Sequence, residues 1–235
     1  MHLIPKLEID IMQANELAEA MEFACVYRTQ AVVVHPDLAA EAAIQRTRRQ
    51  ARCKIITPVD WPKGEKFGVS KMHTMPLAAL SQDGFEIMLS PRDINKLKAE
   101  LLELSNFVRE HLLNATEIRF VLGALTYDQK DVLKLCEALK SIPAPTLLRT
   151  DTNLRIQQIK ANATSHSEMI ESIKHIISRP LKLSGNISTV KMLTSCKAER
   201  YAVSLKQAQA IVKEIRDNPE KVEKLIAAAS PKVEA

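Results

Sequence analysis

A lysine two residues ahead of a serine, followed by a glycine-asparagine turn, is the arrangement in this chain with the clearest capacity for chemistry. It lies in R-P-L-K-L-S-G-N-I-S, residues 179–188. Period-two alternation puts Leu181 and Leu183 on one face of a short strand, with Lys182 and Ser184 on the other. Pro180 stands at the strand's start, where no interior ladder bond is lost. Gly185 and Asn186 tolerate positive φ, and Ser188 or Thr189 then caps a helix whose first amides face an anion. Such a set suits a phosphate or carboxylate with an amine beside it. A lysine between leucines fits an ordinary solvent-facing strand position equally well, and turns of this composition also occur without any ligand.

Positioning such a turn requires strands that end at a common rim. Apolar strand-like runs fall at 7–11, 31–34, 54–57, 85–89, 117–122, 146–150, 181–184 and 200–204. Helical spacing fills the intervals at 15–27, 37–50 with Asp37 as cap, 70–82, 93–113, 128–141, 165–177, 188–196 and 206–217. In the fifth of these, Val132, Leu135, Cys136 and Leu139 form one apolar stripe. Short strands apolar on both faces and separated by helices demand a parallel sheet. Eight such units in this length predict an α/β fold, a single (β/α)8 TIM barrel over 1–217, with the doubly wound open sheet as runner-up. Residues 218–235 hold an extra C-terminal helix, opened by Pro219, and a tail; that helix offers a surface or subunit contact, hence a homo-oligomer.

The chain has 235 residues, 46% hydrophobic and 26% charged, the balance of an ordinary globular protein, and no apolar run approaches a membrane span. Its first ten residues lack a basic leader and an apolar core, so a cytoplasmic protein without membrane association is expected. Cys25, Cys53, Cys136 and Cys196 are widely spaced and read as buried thiols, with no metal site and no cofactor expected. Five glycines leave no phosphate loop of the G-x-x-x-x-G-K or G-x-G-x-x-G kind. The net charge of +5 permits phosphorylated ligands. The densest basic run, Arg46, Arg48, Arg49, Arg52 and Lys54, has no aromatic neighbours and reads as a solvated face, so nucleic acid is not the expected partner.

With the strands placed, the chain resembles deoxyribose-phosphate aldolase along nearly its whole length. Asp10 resembles the acidic residue after that family's first strand, and A-V-V-V-H-P at 31–36 its second strand. D-W-P-K-G at 60–64 resembles the F-P-x-G loop, while Lys71 and D-G-F-E-I at 83–87 fall where the family has a lysine and a G-A-D-E-I-like run. L-L-R-T-D-T at 147–152 resembles F-I-K-T-S-T, L-K-L-S-G-N-I-S-T at 181–189 the K-x-x-G-G-I-R-T turn, and R-Y-A-V-S at 200–204 the last strand. The resemblance implies a class I aldolase on a TIM barrel, an aldehyde-lyase that forms a Schiff base and cleaves 2-deoxyribose 5-phosphate.

The departures are chemical. Arg149 stands where the family has its Schiff-base lysine, Met88 where it has a proton-transferring aspartate, and Gly123 where it has a glutamate. A guanidinium stays protonated and cannot form a carbinolamine. Lys182 matches the family's second active-site lysine, so a rearranged site would use Lys182 as nucleophile beside Arg149, with Asp10, Glu86 or Asp151 moving the proton. Gly185-Asn186 and Ser204-Leu205 stand where the family has paired glycines and paired serines around its phosphate, so the resemblance implies a partly kept phosphate site at Gly185, Asn186 and Ser204. Two readings follow. One is an aldolase-like protein with altered or lost lyase activity that binds a phosphorylated sugar or small anion at the barrel mouth. The other is a catalytically silent relative, a pseudoenzyme serving as a structural or interaction component. Lys182, Arg149 and Ser204 are expected to converge at the C-terminal mouth of the barrel.

Overall fold

The computed structural model describes residues 3–11, 13–59, 82–89, 117–122, 126–139, 146–151, 155–157, 181–184, 187–196 and 198–229. In chain order the elements are β1 (Leu7–Ile11), α1 (Leu17–Tyr27), β2 (Ala31–Val34), α2 (Ala39–Arg48), β3 (Lys54–Val59), β4 (Gly84–Leu89), β5 (Glu117–Leu122), β6 (Thr126–Asp128), α3 (Gln129–Leu139) and β7 (Thr146–Asp151). They continue with β8 (Arg155–Gln157), β9 (Leu181–Ser184), α4 (Val190–Cys196), β10 (Arg200–Ser204), α5 (Leu205–Asp217) and α6 (Pro219–Ala229). The expected helices at 70–82, 93–113 and 165–177 lie outside the described residues.

Parallel hydrogen bonding runs in the order β1-β10-β9-β7-β5-β4-β3-β2 and returns to β1. The expected α/β class with a parallel sheet therefore holds, and the sheet curls closed where a doubly wound sheet would stay open. Two strands were not expected. β6 and β8 pair with each other in parallel outside the main sheet, β6 ending on Asp128, read from sequence as a helix start, and β8 lying in the segment read as a polar loop.

Alternation along the strands sorts the core into two zones. Leu7, Ile9, Ile11, Val32, Val34, Ile55, Phe85, Ile87, Ile118, Phe120, Leu122, Leu183, Tyr201 and Val203 form one buried cluster with Ala20, Met21 and Ala24 of α1 and Ala208 and Ile211 of α5. This is the layer between sheet and helices, and its burial supplies most of the driving force. Ala31, Val33 and Ile56 belong to a separate cluster, on the other face of their strands. The residues sharing that inner face are mainly charged.

Local signals set several boundaries. The expected cap Asp37 instead sits inside a 3-10 turn, Pro36–Leu38, where its amide donates to His35 Nδ1 at 3.4 Å and α2 starts only at Ala39. At the start of α5, Ser204 and Gln207 form a reciprocal capping box, Ser204 Oγ accepting from the Gln207 amide and Gln207 Oε1 from the Ser204 amide. Pro219 opens α6, which packs on α4 and α5 and buries Val222. Among the described residues no helix is long and apolar enough to cross a membrane. Cys53 is a buried thiol as expected, whereas Cys25 is only half-buried.

One glycine is required by strand spacing. A Cβ on Gly84 would stand 2.3 Å from the backbone carbonyl oxygen of Glu117, so β4 approaches β5 closely at its first residue. Backbone cannot yield as a flexible side chain does. Gly84→Ala is expected to lower unfolding free energy by about 3 kcal/mol, measurable by urea denaturation.

Candidate functional site

The inner face of the strands carries an ionic network. Glu8 comes from β1, Lys54 from β3, Glu86 from β4, Glu117 and Arg119 from β5, Lys182 from β9 and Arg200 from β10. Glu8, Arg119 and Lys182 are fully buried, and Glu86 and Glu117 are nearly so. The Arg119 guanidinium donates to both oxygens of Glu8, at 2.6 and 3.0 Å, to Glu117 Oε1 at 2.6 Å and to Glu86 Oε1 at 3.2 Å. Lys182 Nζ lies 2.5 Å from Glu8 Oε2 and donates to Glu86 Oε1 at 2.7 Å. Arg200 closes the lower end with bonds to Glu117 at 2.8 Å and Glu8 at 3.3 Å, and Lys54 reaches Glu117 Oε2 at 2.7 Å.

Space for these groups comes from their neighbours. Both register partners of Glu8 are alanines, Ala31 on β2 and Ala202 on β10. Without large side chains there, the Arg119 plane fits beside the Glu8 carboxylate. Burial alone would raise the Glu8 pKa, but Lys182 and Arg119 outweigh it and hold the carboxyl below its usual range. Burial likewise works against Glu117, and Arg119, Lys54 and Arg200 prevail, bringing it down to about 2. Burial disfavours the Arg119 charge, yet Glu8, Glu86 and Glu117 push its pKa above the ordinary value.

The residues expected at the mouth are distributed differently. Lys182 pairs in Cα register with Arg149 on one side and with Arg200, the first residue of β10, on the other. Ser204 is four residues further along β10, about 13 Å at the usual rise per residue. Lys182 thus sits low in the interior among carboxylates, while Ser204 ends its strand, exposed and engaged in the α5 cap. The Arg149 backbone flanks Lys182, but the Arg149 and Met88 side chains lie outside the described residues, as do Gly185, Asn186 and Gly123. Asp10 is half-buried and is the register partner of Ser204. Glu86 does face inward, bonded to Lys182 and Arg119.

The turn after β9 also has a partner within the chain. Thr189 caps α4 through Oγ1, accepting from the Met192 amide at 3.3 Å, as one of the two expected caps. The Val190 amide donates to Glu214 Oε2 of α5 at 2.9 Å. An anion already occupies that helix start, and it is this chain's own carboxylate. Among the described residues no group of three or more His, Cys, Asp or Glu could hold a metal ion.

No protein-family model matches the sequence, and no curated protein is similar to it at a significant level. Solved structures are similar in fold. The tetrameric deoxyribose phosphate aldolase of Aeropyrum pernix superposes with TM-score 0.64 and 11% identity over 91% of each chain. A putative deoxyribose-phosphate aldolase from Coccidioides immitis gives 0.67 and 13% over 91% of this chain and 85% of that one. An aldolase designated QR15 gives 0.67 and 14% over 93% and 98%. At these identities the likeness is one of fold.

Two measurements probe the network. Lys182→Met leaves Glu8 and Glu86 facing each other with one cation fewer, and is expected to cost about 3–5 kcal/mol of stability by denaturant titration. Because folded Glu117 titrates below its ordinary 4.5, its stabilising contribution is complete above that pH and is lost as pH falls towards about 2. Unfolding midpoints across that window are expected to drop steeply in the native chain and less steeply in Glu117→Gln.

Proposed function

We propose that this chain is an aldolase-superfamily (β/α)8 barrel, similar to deoxyribose-phosphate aldolase, that has lost the Schiff-base lyase reaction and persists as a binding or structural component. The observation that carries this reading is the bonding of Lys182. Imine formation starts from a neutral amine with a free lone pair and room for a carbonyl. The Lys182 amine is fully buried, with carboxylate oxygens of Glu8 and Glu86 at 2.5 and 2.7 Å. Both contacts hold the amine against this chain's own carboxylates, and its full burial leaves no open approach for a substrate carbon. Arg149, at the position of the family's nucleophile, retains its proton at any physiological pH.

A phosphorylated ligand at the mouth belongs to the same proposal in a reduced form. Ser204 at the start of α5 and the Gly185-Asn186 turn are its proposed contacts, with Asp10 beside Ser204 in register. The Glu214 carboxylate on the Val190 amide competes for one of the donors such a ligand would use.

Borohydride reduction in the presence of acetaldehyde or deoxyribose 5-phosphate, read by intact mass and peptide mapping, tests the proposal. The expected result is no adduct on Lys182 and no retro-aldol cleavage, in the native chain and in Lys182→Ala alike. A single stoichiometric adduct on Lys182 in the native chain would establish an active aldolase with a relocated nucleophile.

A further inference from the structure

At the N-terminal end of the barrel, opposite the mouth, an open cleft of about 500 Å³ lies between the C-terminal ends of α1 and α2. Its charged lining is Arg28, Arg49, Arg52 and Lys54, without a carboxylate among the lining residues. Lys54 is paired with Glu117. The Arg49 guanidinium donates to the neutral side-chain amide of Gln45, and among the described residues no carboxylate pairs with Arg28, Arg49 or Arg52. The basic run that sequence reading assigned to a solvated helix face is thus divided. Arg46 pairs with Asp83, whereas Arg49, Arg52 and Lys54 gather around the cleft.

Arginines near helix C-termini are commonplace, because they complement the helix dipole. The magnitudes do not balance here. Each terminus carries roughly half a negative charge, so two termini offset about one of the three guanidiniums and leave about two positive charges over the cleft. One last-turn carbonyl of each helix is also already bonded by an amide, Ala24 by Thr29 and Arg46 by Ala51. Arg28 and Gln50, both in the cleft wall, hold left-handed φ of 52°, where glycine is the usual residue. Thr29, which also lines the cleft, is 3% exposed and its Oγ1 has no hydrogen-bond partner among the described residues. A buried hydroxyl without a partner is uncommon and points to an absent one.

We infer that this cleft binds a small multivalent phosphate-bearing anion. Guanidinium forks match phosphate oxygens in pairs, and the volume is that of a small-ligand site. No aromatic side chain lines the cleft, so there is no platform for a nucleobase and a pyrophosphate-type group suffices. The Gln30 and Gln50 amides supply neutral polar groups beside the guanidiniums. The site is independent of the mouth and of the fate of Lys182.

Calorimetry with inorganic pyrophosphate at low salt tests the inference on three proteins. They are the native chain, Arg28→Gly with Arg52→Ala, and a control with Arg48→Ala and Arg216→Ala that removes as many surface charges elsewhere. Arg28→Gly relieves the left-handed backbone, so the cleft variant is expected to melt no lower than native while its affinity falls about tenfold or more, the control staying within about twofold. Should the cleft variant fold poorly, Arg52→Glu alone is expected to give the same loss. Four results would overturn the inference: no binding to the native chain at about 1 mM pyrophosphate; equal weakening in variant and control; binding that survives the cleft substitutions and so resides elsewhere; or a single-stranded oligonucleotide preferred over pyrophosphate with the same arginine dependence.

Discussion

The bond from Arg119 to both oxygens of Glu8 crosses the barrel from β5 to the opposite strand, β1, and the composition of the interior follows from it. A guanidinium removed from water carries a desolvation penalty of several kcal/mol even after relaxation, and one carboxylate does not use its five donors. Glu117 and Glu86 take the Nε and second Nη1 directions. Three carboxylates in one cavity then repel one another, and Lys182, Arg200 and Lys54 separate them. Each added group answers the charge introduced by the last, until six of the eight barrel strands are joined by ionic hydrogen bonds.

Such a network constrains register more than stability. A slip of β5 by one residue would turn Arg119 into the apolar layer under the helices and bring Ile118 or Phe120 inside. In a barrel filled with branched aliphatics, a shifted register still buries hydrocarbon. Here it strands a charge. The same bonding answers why a lysine in a strand position suited to catalysis is unsuited to it. The useful catalytic lysine is held beside other cations that favour its neutral form. Lys182 is held between the Glu8 and Glu86 carboxylates, which occupy the side from which a carbonyl would have to approach.

Much of the architecture was legible because it rests on periodicity. The strand runs at 7–11, 117–122 and 181–184 and the cap at Thr189 carry local signals that tertiary packing did not override. The site was legible only as residue types. L-E-I, F-E-I, I-R-F and L-K-L each set charge between apolar residues, which in a strand covered by helices on one side and closed into a barrel places the charge inside. Reading Lys182 as exposed, as a nucleophile beside Arg149, or as one of two cations pairing with carboxylates at the mouth left those carboxylates and their depth in the barrel unassigned. Taking the three glutamates and the basic strand residues together would have suggested mutual pairing, but which carboxylate meets which cation depends on contacts between residues up to 192 apart in sequence. The β6–β8 pair carried no such signal, being three residues each.

The network's charge also explains why its lower end and its upper end differ. Glu8, Glu86 and Glu117 are met by Lys54, Arg119, Lys182 and Arg200, one more cation than carboxylates among the described members. Surplus charge is cheapest where water reaches it. Arg119 and Lys182 are sealed, while the side chains of Arg200 and Lys54 remain 19% and 36% exposed at the first residues of β10 and β3. The excess is therefore drawn to the N-terminal end of the barrel. Lys54 belongs to both regions, bonded to Glu117 and lining the cleft between α1 and α2. An anion settling among Arg28, Arg49 and Arg52 would meet a potential built partly by residues it never touches.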